Sequence, residues 1–140
     1  MYDTILIPTD GSEQADRGVE QGLSLAANYD AEVVLLYVVD ERRHGRTPAL
    51  GSTAVEHAKI EDEAIEMLEE IADRASDRGL DVDCACHRGL PWEEITSLAE
   101  QRDTDLIVMG RRGATDDRRT ALGSVADRVM RHTDIPVQAV

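Results

Sequence analysis

Two glycine-bearing stretches of this chain carry the residue types that grip an anion. After an apolar run ending at Met109 come Gly110, Arg111, Arg112 and Gly113, then nine residues, then Gly123, Ser124 and Val125. Glycine lets a ligand approach the backbone with no Cβ in the way. If a helix opens there, Gly123 and Ser124 offer N–H groups and a positive helix end to a phosphate, and Ser124 adds a hydroxyl donor. From Gly110 to Arg131 there are six arginines (Arg111, Arg112, Arg118, Arg119, Arg128, Arg131) and three acids (Asp116, Asp117, Asp127). The difference is a local net of +3 in a chain of net −14. An anion-binding pocket accounts for that inversion better than glycine caps and chance. The second stretch, Pro8-Thr9-Asp10-Gly11-Ser12, follows the first apolar run and puts a carboxylate at a turn.

Simpler roles exist for several of these residues. Asp10 also suits a turn or a helix cap, and Gly11 and Gly89 suit plain turns. Cys84 and Cys86 read as buried strand cysteines rather than a metal site, because no second ligand cluster accompanies them. His44, His57, His87 and His132 lack metal-ligand spacing and read as solvated or structural. Other chemistries fail on particular residues. A Walker loop needs Gly-Lys-Ser/Thr, and Lys59 stands in a helical pattern without it. Asp10-Gly11-Ser12 stands where a dinucleotide fold has its glycine fingerprint, and no Gly-x-Ser-x-Gly elbow occurs. A phosphoacceptor receiver would need a lysine after the last strand pair, and none is there.

The elements that must position these residues alternate along the chain. Thr4–Pro8 predicts a strand, and Ser12 an N-cap for a helix to about Asn28, with Ala15, Val19, Leu23 and Ala26 on its apolar face. Glu32–Val39 is continuously apolar at its centre, as in a strand buried on both faces. Asp40–Ser52, with Gly45, Pro48 and Gly51, predicts a loop. Thr53–Arg78 predicts a long helix turning Val55, Met67, Leu68, Ile71 and Ala75 inward, closed by Gly79. Leu80–His87 predicts a strand nearer the sheet edge, and Pro91 opens a helix with Trp92, Ile95, Leu98 and Ala99 inside. Asp105–Met109, Ala121–His132 and Ile135–Val140 predict strand, helix and strand. Strands alternating with helices imply parallel pairing and right-handed crossovers. We therefore expect an α/β fold, one doubly wound five-stranded parallel sheet with helices on both faces, as a single domain over residues 1–140. Ligands of such folds bind beyond the carboxyl ends of the strands, where strand order reverses. That leaves the loops after Ile7, Val39, His87 and Met109.

The Gly-x2-Gly-x9-Gly-Ser spacing, with Asp-Gly-Ser at the first turn, resembles the universal stress protein family in its ATP-binding branch. Val38-Val39-Asp40, Gly89 and Asp134-Ile135-Pro136-Val137 extend the resemblance over essentially the whole chain. The resemblance implies a Rossmann-like domain in which Asp10 meets the ribose and backbone around Thr9 and Val38 meets the adenine edge. It implies that Gly110, Gly113, Gly123, Ser124 and Val125 meet the ribose and phosphates, with Pro8, Met109 and Arg112 completing the site. ATP is the implied ligand, with Mg²⁺ or Mn²⁺ riding on its phosphates. Arg112 stands where the family often has histidine, which suits a direct arginine–phosphate pair.

The whole-chain composition bounds what surrounds that site. The 140 residues carry 29 acids against 15 bases, 14 of them arginine, with Lys59 as the one lysine and no Phe. Net −14 argues against nucleic-acid or anionic-membrane binding, and no apolar run nears the ~20 residues of a membrane span. A cytoplasmic protein is the expectation. Many carboxylates with almost no lysine resemble proteins of salt-loving microbes, where salt screens self-repulsion. Three functions remain: an ATP-holding stress or regulatory module without an evident general base; a slow ATP hydrolase or phosphotransferase with Asp10 as base; and a nucleotide-free interaction domain. A last strand at an open edge predicts a homodimer through it.

Overall fold

Neighbouring residues of a strand point to opposite faces of the sheet, and here both faces are covered. The computed structural model describes residues 2–44, 52–113 and 122–140. In chain order it has β1 (Thr4–Pro8), α1 (Glu13–Tyr29), β2 (Glu32–Asp40), α2 (Glu41–His44), α3 (Ser52–Asp77), β3 (Val82–Gly89), α4 (Pro91–Gln101), β4 (Leu106–Met109), α5 (Ser124–His132) and β5 (Val137–Ala139). All pairings are parallel, in the order β3-β2-β1-β4-β5. Ile5, Ile7, Val33, Leu35, Leu106 and Val108 face α1 and α3, packing on Val19, Leu23, Leu68, Ile71 and Ala75. Their neighbours Leu6, Val34, Leu36, Ile107 and Met109 face α4 and α5, packing on Ile95, Leu98, Ala126 and Val129. Fully buried aliphatics of this kind stabilise by about 1.5–3 kcal/mol each. The continuous hydrophobicity of β2 thus has the cause expected of it.

The five-stranded, doubly wound α/β fold is as predicted, with differences in detail. Ser12 caps α1, its Oγ accepting from the Ala15 N–H at 3.1 Å. The stretch after β2, predicted as a loop, opens instead with the short helix α2, whose start is fastened by the Asp40 side chain accepting from the Arg42 N–H at 2.9 Å. Val55, predicted inward, is 70% exposed, because α3 begins beyond the reach of the sheet; the helix meets the core through Ala64, Leu68, Ile71 and Ala75. Cys84, predicted buried, is exposed, since β3 is an edge strand, and Cys86 is half-buried. Partial desolvation of the sulfur atoms, with Asp83 and Glu69 near Cys84 and Glu61 near Cys86, pushes both thiols above their ordinary range. β5 is shorter than predicted. Trp92 is only partly buried and stacks on His132 at 4.2 Å between ring centroids, joining α4 to α5. His87 Nδ1 lies 3.2 Å from Glu94 Oε2, and His57 is buried. The predicted loop residues Gly45, Pro48 and Gly51, and Ala121 at the predicted helix start, lie outside the described residues, as does the side chain of His44.

One consequence of the topology matters for function. The chain steps outward from β1 through β2 to β3, then crosses to β4 and β5 on the other side. The reversal falls between β1 and β4, and the crevice above their carboxyl ends is the ligand position of such a sheet.

Candidate functional site

The β1–α1 turn is built by its own side chains. The buried Thr9 donates its N–H to Leu36 O at 2.9 Å, tying the turn to β2. Its Oγ1 accepts from the Gly11 N–H at 3.2 Å, and Asp10 Oδ1 accepts from the Ser12 N–H at 2.9 Å. Gly11 takes φ +81, a left-handed conformation open to glycine at little cost. The turn-forming role open to Asp10 in the sequence is therefore real, and its carboxylate also borders the crevice.

The β4–α5 side is held by backbone bonds across the sheet end. Arg111 donates its N–H to Val140 O and accepts at its own carbonyl from the Gly123 N–H, both at 2.7 Å. The Gly123 N–H, expected to point at a phosphate, is thus spent on Arg111, and buried Gly123 lies outside the crevice wall. Its part is to cap α5 without a side chain, so that no side-chain cap covers the first turn. Ser124, Val125 and Ala126 of that turn border the crevice. Helix starts carry N–H groups with no partner inside the helix, and a positive partial charge.

Gly110 has a second, tighter reason to be glycine. A Cβ there would sit 2.7 Å from Gln14 O, and one on Gly18 would sit 2.6 Å from Gly110 N. The backbone of α1 and the end of β4 therefore touch, which sets the depth of the crevice.

The crevice is a cavity of about 410 Å³, within the range of small-molecule sites. Pro8, Thr9 and Asp10 border it from β1 and its turn, Val38 from β2, and Met109, Gly110, Arg112 and Gly113 from β4 and its loop. Ser124 and Val125 close it from α5, so of the predicted site residues Gly123 is the one left behind the wall. Arg118, Arg119, Asp116 and Asp117, whose charges cancel, lie outside the described residues, so the local net of +3 comes from Arg111, Arg112, Arg128 and Arg131 against Asp127. Arg111, Ala15, Leu36, Tyr37 and Ala126 also border the cavity without having been singled out as site residues. So do Pro91 and Ile95, from the N-terminal end of α4, Asp40 at the end of β2 and Arg42 just after it. Pro91 and Ile95 follow the loop after β3 and were within reach of the rule that ligands sit beyond strand ends. Arg42 stands in the stretch after Val39 that the same rule marked, though no motif singled it out there. Its Nε and Nη2 donate to Asp40 Oδ1 and Oδ2, each at 3.2 Å, and this pairing raises the guanidinium above its ordinary value. The cavity thus joins an apolar flank over β2 and α4 to a flank of arginines and helix N–H groups over β4 and α5.

Comparison with known proteins bears on what such a cavity serves. The model of the Universal stress protein family matches residues 1–140. The universal stress protein MJ0531 of Methanocaldococcus jannaschii is 36% identical over 140 residues, spanning 100% of this chain and 82% of the relative. The solved structure of MJ0577, from the same organism, superposes with a TM-score of 0.92 at 34% identity, covering 100% of this chain and 96% of that one. A universal stress protein solved in complex with cAMP has a TM-score of 0.74 at 25% identity, covering 99% and 96%.

Proposed function

Because the chain belongs to the universal stress protein family, we propose that it is an ATP-binding regulatory module of the stress response. The observation that carries this reading is the division of one cavity into an apolar flank and an anion-holding flank on either side of the β1 turn. Strands lie about 4.8 Å apart, so β2 and β4, flanking β1, are separated by about 10 Å. That span suits a base over β2, a ribose over Asp10 and phosphates over β4. The family member solved with cAMP adds support for an adenine nucleotide. Arg111, Arg112, Gly113 and the first turn of α5 receive the phosphates. These arginines and N–H groups offer a cation no ligand, so a Mg²⁺ or Mn²⁺ ion would be held by the phosphates themselves; when bound, it would neutralise part of their charge.

Two further parts belong to the same proposal. The protein is cytoplasmic and adapted to strong salt, on the strength of its acidic, lysine-poor composition. It forms a homodimer through β5, which stands at an open edge of the sheet. Among the described residues no helix is long and apolar enough to cross a membrane.

The test is to purify the protein in strong salt, identify released small molecules by mass spectrometry, and titrate ATP by calorimetry. ATP with a divalent ion should bind. Gly113→Val should lose it, because the new side chain fills the approach to the phosphates. Absence of carried nucleotide together with no heat of ATP binding would overturn the proposal.

A further inference from the structure

We propose that Arg42 is a specificity-determining residue of this cavity, lying with its guanidinium plane against the nucleobase rather than reaching the phosphates. The inference rests on the ATP reading above and assigns a base-reading role to a residue beyond β2.

Two bonds fix the side chain, and a third holds the backbone beside it. Asp40 Oδ1 accepts from the Arg42 backbone N–H at 2.9 Å and from its Nε at 3.2 Å, and Oδ2 accepts from Nη2 at 3.2 Å. Such a two-point fork holds the guanidinium in one plane. Asp40 itself is anchored at the end of β2, opposite Gly89 in the register, and its side chain is 15% exposed against 46% for Arg42. A half-exposed cation is thus held at the rim of the cavity by a more buried carboxylate.

Two observations decide which part of a nucleotide it serves. Asp40 neutralises Arg42, so the pair carries no net charge with which to attract a phosphate. Arg111 and Arg112 border the cavity two strands away, beyond β4, where the helix start of α5 also lies. Val38, Pro91 and Ile95 line the same cavity over β2 and α4, an apolar surface of the kind a flat heterocycle covers. A guanidinium held along its Nε–Nη2 edge by a carboxylate still offers its face, and arginine stacks on planar π-systems where lysine, a point charge, does not.

Calorimetric titration of wild type, Arg42→Ala and Arg42→Lys with ATP, and with inorganic tripolyphosphate as a ligand lacking the base, tests this. Arg42→Ala should weaken ATP by roughly three- to five-fold, the scale of an exposed cation–π contact, and leave tripolyphosphate unchanged. Arg42→Lys should fail to restore ATP. Equal weakening of both ligands would make Arg42 a phosphate ligand and overturn the inference, as would full recovery by lysine or unchanged ATP affinity in Arg42→Ala. A wild-type protein that binds no ATP overturns the proposed function and this inference together, whereas the other failures leave the ATP reading standing.

Discussion

Asp10 combines two duties that a substitution can separate. Its Oδ1 accepts the Ser12 N–H, and its carboxylate borders the cavity. Asn keeps a side-chain oxygen for the turn but removes the charge and the capacity to act as a base. Asp10→Asn should therefore keep its thermal midpoint and weaken ATP by roughly ten- to a hundred-fold, the loss of one hydrogen bond to a charged acceptor. The same variant separates a binding module from an enzyme. Multiple-turnover release of ADP by wild type that disappears in Asp10→Asn, with ATP still bound, would establish the hydrolase reading. Gly123 teaches a related lesson at this scale. Its N–H is engaged by Arg111 O, and it starts α5 without a covering side chain.

Among the elements, α1 and β4 depend on each other most closely. Gly18 and Gly110 let their backbones touch, and a Cβ on Gly18 would meet Gly110 N at 2.6 Å and Met109 C at 2.7 Å. Those contacts are backbone, which cannot swing aside as a side-chain tip can. Gly18→Ala gains up to about 1 kcal/mol of helix propensity. It loses about 1–3 kcal/mol to overpacking. The second effect wins, so urea unfolding should show a lower midpoint, and ATP binding should weaken because the β4 end is pushed away from α1. An unchanged midpoint would mean that the two elements separate freely. Ion pairs add to the α1–α3 contact. Arg74 joins Asp16 and Glu20, and Arg78 joins Glu20, whose carboxyl is held below its usual value by these hydrogen bonds. These pairs are solvent-facing, so each contributes less than about 1 kcal/mol.

For the whole molecule, net charge and the open sheet edge make one joint prediction. A chain of net −14 repels itself and its copies, and the Debye length shortens from about 10 Å at 0.1 M salt to about 3 Å at 1 M. Light scattering coupled to size exclusion should give a dimer at 2 M KCl, and the thermal midpoint should rise between 0.1 M and 2 M, concentrations on the order of those that remove surface repulsion. A monomer at high salt would remove the β5 dimer, and a midpoint indifferent to salt would remove the halophilic reading.

The alternation of strand and helix, the N-cap at Ser12 and the two-sided burial of β2 were legible in the sequence, because each depends on residues a few positions apart. So were the residues from Pro8 to Asp10 and from Met109 to Gly113, since strand ends followed by glycine carry a local signal. The structure changed what depends on distant neighbours. Val55 and Cys84 have apolar character that local periodicity turns inward, yet one lies past the sheet and the other on its edge strand. Arg42 joins the cavity because β2 lies beside β1, and Gly110 must be glycine because α1 crosses it. Periodicity, caps and charge balance were thus determined by the sequence itself. Strand order, and with it the neighbours of Gly110 and Gly123, was decided by the packing of both sheet faces at once.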